Sequence, residues 1–243
     1  MKYSSLVFIS ILAMTLSSCS SWKKRPEGRN YKQQTSQAQT VSVDTEAAKQ
    51  STEITKGWPE ASTRAATDLI SKYGSPTEVT SDMLVWRNIA PFKRIVVHKE
   101  VYENRFPLLH QEPVEHVINY RARGDKVDDL WKFNGAIVVD RVKGEMAASG
   151  FNEAMNILSL NLAHDIMMGK ISAETARIEF GQESMDYLNG KRPNNTQALS
   201  FGNQLNTADA GQSITNKIRW IGGGNTPYRK VQLRQAQEAN QNR

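Results

Sequence analysis

Leu130-Trp131-Lys132-Phe133-Asn134-Gly135-Ala136-Ile137-Val138-Val139 decides how the middle of the chain is read. Two apolar runs flank Asn-Gly, the pair that best fits a two-residue type I′ turn with positive φ at both positions. The stretch therefore predicts a β-hairpin. Upstream, Met83-Leu84-Val85-Trp86 and Phe92 to Val101 read as strands, the second rich in β-branched residues. Val114 to Ala122 reads as a third, with Val114, His116, Ile118 and Tyr120 on one face. Downstream, Phe151, Ala154, Met155, Leu158, Leu162 and Ile166 recur at helical spacing, and Gly169 closes that segment. Ser172 suits the N-cap of another helix, Ala173 to Leu188, ended by Asn189-Gly190. Ala176, Phe180 and Tyr187 mark its inner face, and the short link predicts two antiparallel helices. Ahead of the strands, Pro59 suits a first helical turn, followed by Ala61, Ala65, Leu69 and Ile70. Tyr73-Gly74-Ser75-Pro76 stops that helix. The expected fold is α+β: a helix, a largely antiparallel sheet with an Asn-Gly hairpin, then two antiparallel helices.

The ends differ in composition. Lys2 is followed by an 11-residue apolar run, Leu6 to Leu16. A membrane-spanning helix needs about 20 residues, so the run has the layout of a secretory signal peptide. It leads into Leu16-Ser17-Ser18-Cys19, which resembles the bacterial lipobox. The resemblance implies cleavage before Cys19 and acylation of that residue, giving a protein attached to a membrane by lipid. Cys19 is the only cysteine, so no disulfide is expected. Ser20, rather than Asp, follows it. By resemblance to enterobacterial sorting, this favours the periplasmic face of the outer membrane. Residues 20–56 are Ser-, Thr-, Gln-, Lys- and Ala-rich and read as a flexible tether. Beyond Pro193 the chain is rich in Asn, Gln, Thr and Gly and reads as mostly disordered, with one short strand at Ile214–Ile221. The expected organisation is a signal peptide over 1–18, a lipidated tether over 19–56, one α+β domain over 57–192 and a tail over 193–243.

Charge bears on partners. The chain carries +6 overall, yet residues 57–192 hold seventeen Lys/Arg against nineteen Asp/Glu. The excess is in the ends. A nucleic-acid domain concentrates basic residues on its folded surface, so nucleic acid is not an expected partner. The membrane, through Cys19, and another envelope protein or a cell-wall component are. Lys23-Lys24-Arg25 also suits contact with anionic headgroups.

No motif carries chemistry by itself. His98, His110, His116 and His164 lack zinc-ligand spacing, and no metal or cofactor is expected. His98 and His116 fall in neighbouring strands, where they would face each other. No Gly-x-Ser-x-Gly elbow or phosphate loop is present. The best catalytic candidates are Glu145, His164 and Asp165, with Asn161. A cleft between sheet and helix would collect Glu145, Asn161 and Asp165.

Two further resemblances concern the mature domain. The run from Gly57-Trp58-Pro59 through Tyr73-Gly74-Ser75-Pro76 to Leu84-Val85-Trp86 resembles a family of uncharacterised bacterial envelope proteins. The same pattern is similar to the small lipoprotein subunit of the outer-membrane barrel assembly machinery, which implies a scaffold role. The expected function is thus a lipid-anchored, non-catalytic binding or scaffold module. The alternative is a periplasmic hydrolase or metal-dependent enzyme using Glu145, His164 and Asp165.

Overall fold

A computed structural model describes residues 45–212, together with 234, 235, 237 and 238. The signal peptide, Cys19, Lys23-Lys24-Arg25 and the expected strand at 214–221 lie outside the described residues. Helix α1 (Thr45–Thr55) leads into α2 (Glu60–Tyr73), and then come the strands β1 (Glu78–Val79), β2 (Met83–Arg87) and β3 (Arg94–His98). A small excursion, β4 (Glu103–Asn104) and β5 (His110–Gln111), precedes β6 (Val114–Asn119). Helix α3 (Val127–Phe133), strands β7 (Ile137–Asp140) and β8 (Glu145–Gly150), and helices α4 (Glu153–Met167) and α5 (Ala173–Leu188) complete the order. Six strands form an antiparallel sheet in the order β1-β2-β3-β6-β8-β7, and β4 and β5 pair separately. The fold class is α+β.

Alternation places one face of the sheet against the helices. Leu84, Trp86, Ile95, Val97, Val114, Ile118, Met146 and Ala148 join one apolar core with α2, α3, α4 and α5. Helix α4 is the hub: residues 155–163 are buried all round, so it is a core helix and not a one-sided surface helix. Its cap is Asn152, whose side chain accepts from the Met155 N–H at 3.1 Å. Ser172 caps α5 in the same way, at 3.1 Å from the Thr175 N–H. Gly74, Gly169 and Gly190 take positive φ beyond the ends of α2, α4 and α5.

The Asn-Gly hairpin is not formed. Leu130 to Phe133 belong to α3, which buries Leu130 and Phe133 and leaves Trp131 exposed. Asp128 and Asp129 sit in its first turn, where the helix dipole favours negative charge. Asn134 is extended at φ −150°. Its side-chain oxygen accepts from the Ala136 N–H at 3.0 Å, so it makes an Asx turn from helix to strand. The hairpin lies one strand later, between β7 and β8. There Gly144 has φ +64° and the Lys143 N–H donates to Asp140 Oδ1 at 2.9 Å.

Folded structure also exceeds 57–192 at both ends. Residues 45–55, expected as tether, form α1, in which Ser51 and Thr55 are buried. Residues 193–212, expected as disordered, lie against the domain. Thr196 and Thr207 are buried, and Leu199 and Phe201 pack on the core. Polar composition serves here to meet polar groups of the domain rather than to stay in water.

Candidate functional site

The structure does not gather Glu145, Asn161, His164 and Asp165 into one cleft. In β8, Met146 and Ala148 face the helices, so Glu145 points to the opposite side of the sheet. There its carboxylate meets Lys93 Nζ and Arg94 Nη1, each at 2.8 Å. Arg94 pairs with Val117 and Glu145 with Asn119, so this ion pair reaches across β6. Burial pushes the Glu145 carboxyl up, but the two cations outweigh it and hold it below the usual range. A carboxylate committed to two cations is a poor base.

Asn161 and His164 instead hold the segment that follows α5. The Asn161 side chain donates to the carbonyls of Asn195 and Ala198, both at 2.9 Å, and accepts from the Ser200 N–H at 2.8 Å. His164 stacks on Phe201 with centroids 4.1 Å apart, and its Nδ1 lies 2.9 Å from the Tyr120 hydroxyl. Burial and the Lys170 charge lower the His164 pKa. Burial, with Asp165 nearby, pushes the Tyr120 phenol up to about 12. Asp165 pairs with Lys170 at 2.7 Å. The Asn161, His164 and Tyr120 contacts describe a clamp on residues 195–201, and Asp165 takes no part in it.

His98 and His116 do not face each other either. His116 stands opposite Ile95 on the helix side of the sheet, whereas His98 lies near Glu115 on the other side. Among the described residues no group of three or more His, Cys, Asp or Glu is placed to hold a metal ion.

A different cluster carries more charge inside the fold. Glu153, in the first turn of α4, accepts from the Tyr73 hydroxyl and from Lys72 Nζ, each at 2.9 Å. Its Oε2 lies 3.8 Å from Nε2 of the fully buried His116. The Asn156 NH2 lies 2.9 Å from both the Val114 carbonyl and His116 Nδ1; an NH2 only donates, so Nδ1 is the accepting nitrogen. That leaves Nε2 to carry the proton, with no hydrogen-bond partner. Burial lowers the His116 pKa despite Glu153. Burial raises Glu153, yet His116, Lys72 and Tyr73 together pull it down to about 2. Gly150 belongs to this cluster because a Cβ there would collide with Asn156 Oδ1. The cluster ties α2, α4 and β6 together. Its histidine is sealed from solvent, so it fixes geometry rather than meeting a substrate. The signal for it was present in the sequence: His116 stands on an apolar stripe and needs a polar partner from the facing helix.

The concave surface lies beside this cluster. Two adjoining cavities, of about 440 Å³ and about 400 Å³, run along α2 and share Ala65, Asp68 and Asn152. The first is walled largely by Leu108, Leu109, Phe151 and Leu188, and its rim leucines are exposed. The second is more polar, with Lys72, Glu153, Tyr187 and Arg192. Volumes of this size are typical of ligand clefts. The order of elements made the groove hard to foresee, because its outer wall comes from the excursion between β3 and β6. No family model, curated protein or solved structure matches the chain.

Proposed function

We propose that this protein is a lipid-anchored, non-catalytic binding module of the bacterial envelope, engaging another envelope component through the groove along α2. The lipobox-like Leu16-Ser17-Ser18-Cys19 supports the anchor, and Ser20 after it supports the outer membrane. The single observation that carries the binding role is the groove itself, whose first cavity presents the exposed Leu108, Leu109 and Leu188 beside the half-buried Phe151 and Pro107. Apolar side chains held open at a concave rim favour a partner that buries them. The hydrolase alternative loses its support, since Glu145, Asn161, His164 and Asp165 are each engaged in structural contacts.

Crosslinking in intact cells, followed by pull-down of the tagged full chain, tests the reading. A Leu108→Asp/Leu109→Asp pair should remove the captured component while leaving the melting temperature nearly unchanged. Capture that is indifferent to both substitutions contradicts it.

A further inference from the structure

The face of α2 that lines the groove has a definite order. Ala61, Arg64, Ala65 and Asp68 border the first cavity; Ala65, Asp68, Leu69 and Lys72 border the second. At 1.5 Å rise per residue the stripe is about 16 Å long, the reach of roughly five extended residues. Most charges along it are already matched. Arg64 pairs with Glu60 at 2.6 Å and Lys72 with Glu153 at 2.9 Å. Asp68, in the shared wall, and Arg192, in the second cavity, form no ion pair among the described residues. The groove thus reads apolar, then anionic, then cationic. The first cavity also holds the Ser184 hydroxyl, buried and without a hydrogen-bond partner.

We infer that the groove binds a short zwitterionic peptide by its free amino end. The first side chain is apolar and fills the cavity beside Leu108, Phe151 and Leu188. The ammonium sits on Asp68, and the following two or three residues run through the second cavity to place the terminal carboxylate on Arg192. An acyl anion would bring like charge beside Asp68, and a nucleic acid would find too few unmatched cations. Opposite charges in this order discriminate by polarity as well as by class, because a reversed peptide places each terminus against its own sign.

This inference rests on the binding-module reading, and calorimetry on the full chain tests it separately. The probes are Leu-Ala-Ala, its N-acetyl form and its C-terminal amide. Acetylation and amidation should each weaken binding by about tenfold. Asp68→Asn should abolish the discrimination against the acetylated peptide and retain that against the amide; Arg192→Gln should do the reverse. No heat at millimolar Leu-Ala-Ala with folded protein overturns the inference, as does equal binding of the free and acetylated peptides. If a partner is still captured through Leu108 and Leu109 in that event, the binding role stands and only the ligand class falls.

Discussion

At the scale of single residues, two glycines separate the structure from what the sequence suggested. Gly135 was expected at positive φ in a hairpin turn, yet it has an ordinary backbone and open space where a Cβ would sit. Gly144 has φ +64°, and a Cβ there would run into the backbone of Thr207 and Ala208. Gly144→Val should therefore cost at least the 1–3 kcal/mol or so of a strained backbone, and more for the displaced tail. Gly135→Val should cost well under about 1 kcal/mol, as an unencumbered substitution. Urea denaturation of the two variants makes the comparison, and equal losses would contradict the turn assignment. Glu153 and His116 predict a pH dependence. Below about pH 6.5 an unfolded His116 takes up a proton that the buried ring resists, so stability falls as acid is added. Below about pH 4.5 the depressed Glu153 adds to this, its contribution being lost as pH falls toward 2. The urea midpoint should decline through both windows. Glu153→Gln should lower stability at neutral pH and flatten the lower window, whereas an unchanged slope there would show that Glu153 is not the group responsible.

At the scale of elements, the helices with local punctuation were legible. Helices α2, α4 and α5 announce their ends through Gly74, Gly169, Ser172 and Asn189-Gly190, and each signal acts within a few residues of chain. The strands β2, β3 and β6 followed from β-branched and alternating residues, within a few residues at their ends. Helix α3 was not recognised, because Leu130-Trp131-Lys132-Phe133 contains too few residues to separate a helical period from an alternating one. Asn134 then serves a different turn from the one its neighbour Gly135 suggests. The tail over 193–212 was illegible for another reason: its order depends on partners far away in sequence. Asn161, Tyr120, Arg141 and Gly144 supply them, and composition alone cannot show such pairings. Two truncations follow. A chain of residues 45–212 should melt close to the full chain. One of residues 57–192 should melt several degrees lower and bind a hydrophobic dye, because Asn161 loses three hydrogen-bond partners and Phe201 leaves the ring of His164. Equal melting of the two would mean that the extension merely rests on the domain.

At the scale of the whole molecule, the sequence offered individual polar residues, and the groove proposed for binding was not legible in it. The residues singled out for catalysis lie in structural contacts, and the concave surface is assembled from α2, the β4–β5 excursion and the ends of α4 and α5. A groove made by segments so far apart has no local motif. What the sequence does offer is the proposed tether, which would hold that groove near a membrane. Cys19→Ala should abolish incorporation of a fatty-acid analogue in metabolic labelling and leave precursor or unanchored protein. Label retained by the variant would contradict the anchor.

The groove is the centre of the account, and a photo-crosslinking side chain placed at Leu109 in the otherwise intact, anchored protein tests it most directly. Leu109 is 65 % exposed at the mouth of the first cavity, and Val142, 62 % exposed on the β7–β8 turn, is a matched control away from it. Illumination of living cells should give a discrete adduct from position 109 and none from position 142. The same adducts from both positions, or none from Leu109, would contradict a binding role for the groove.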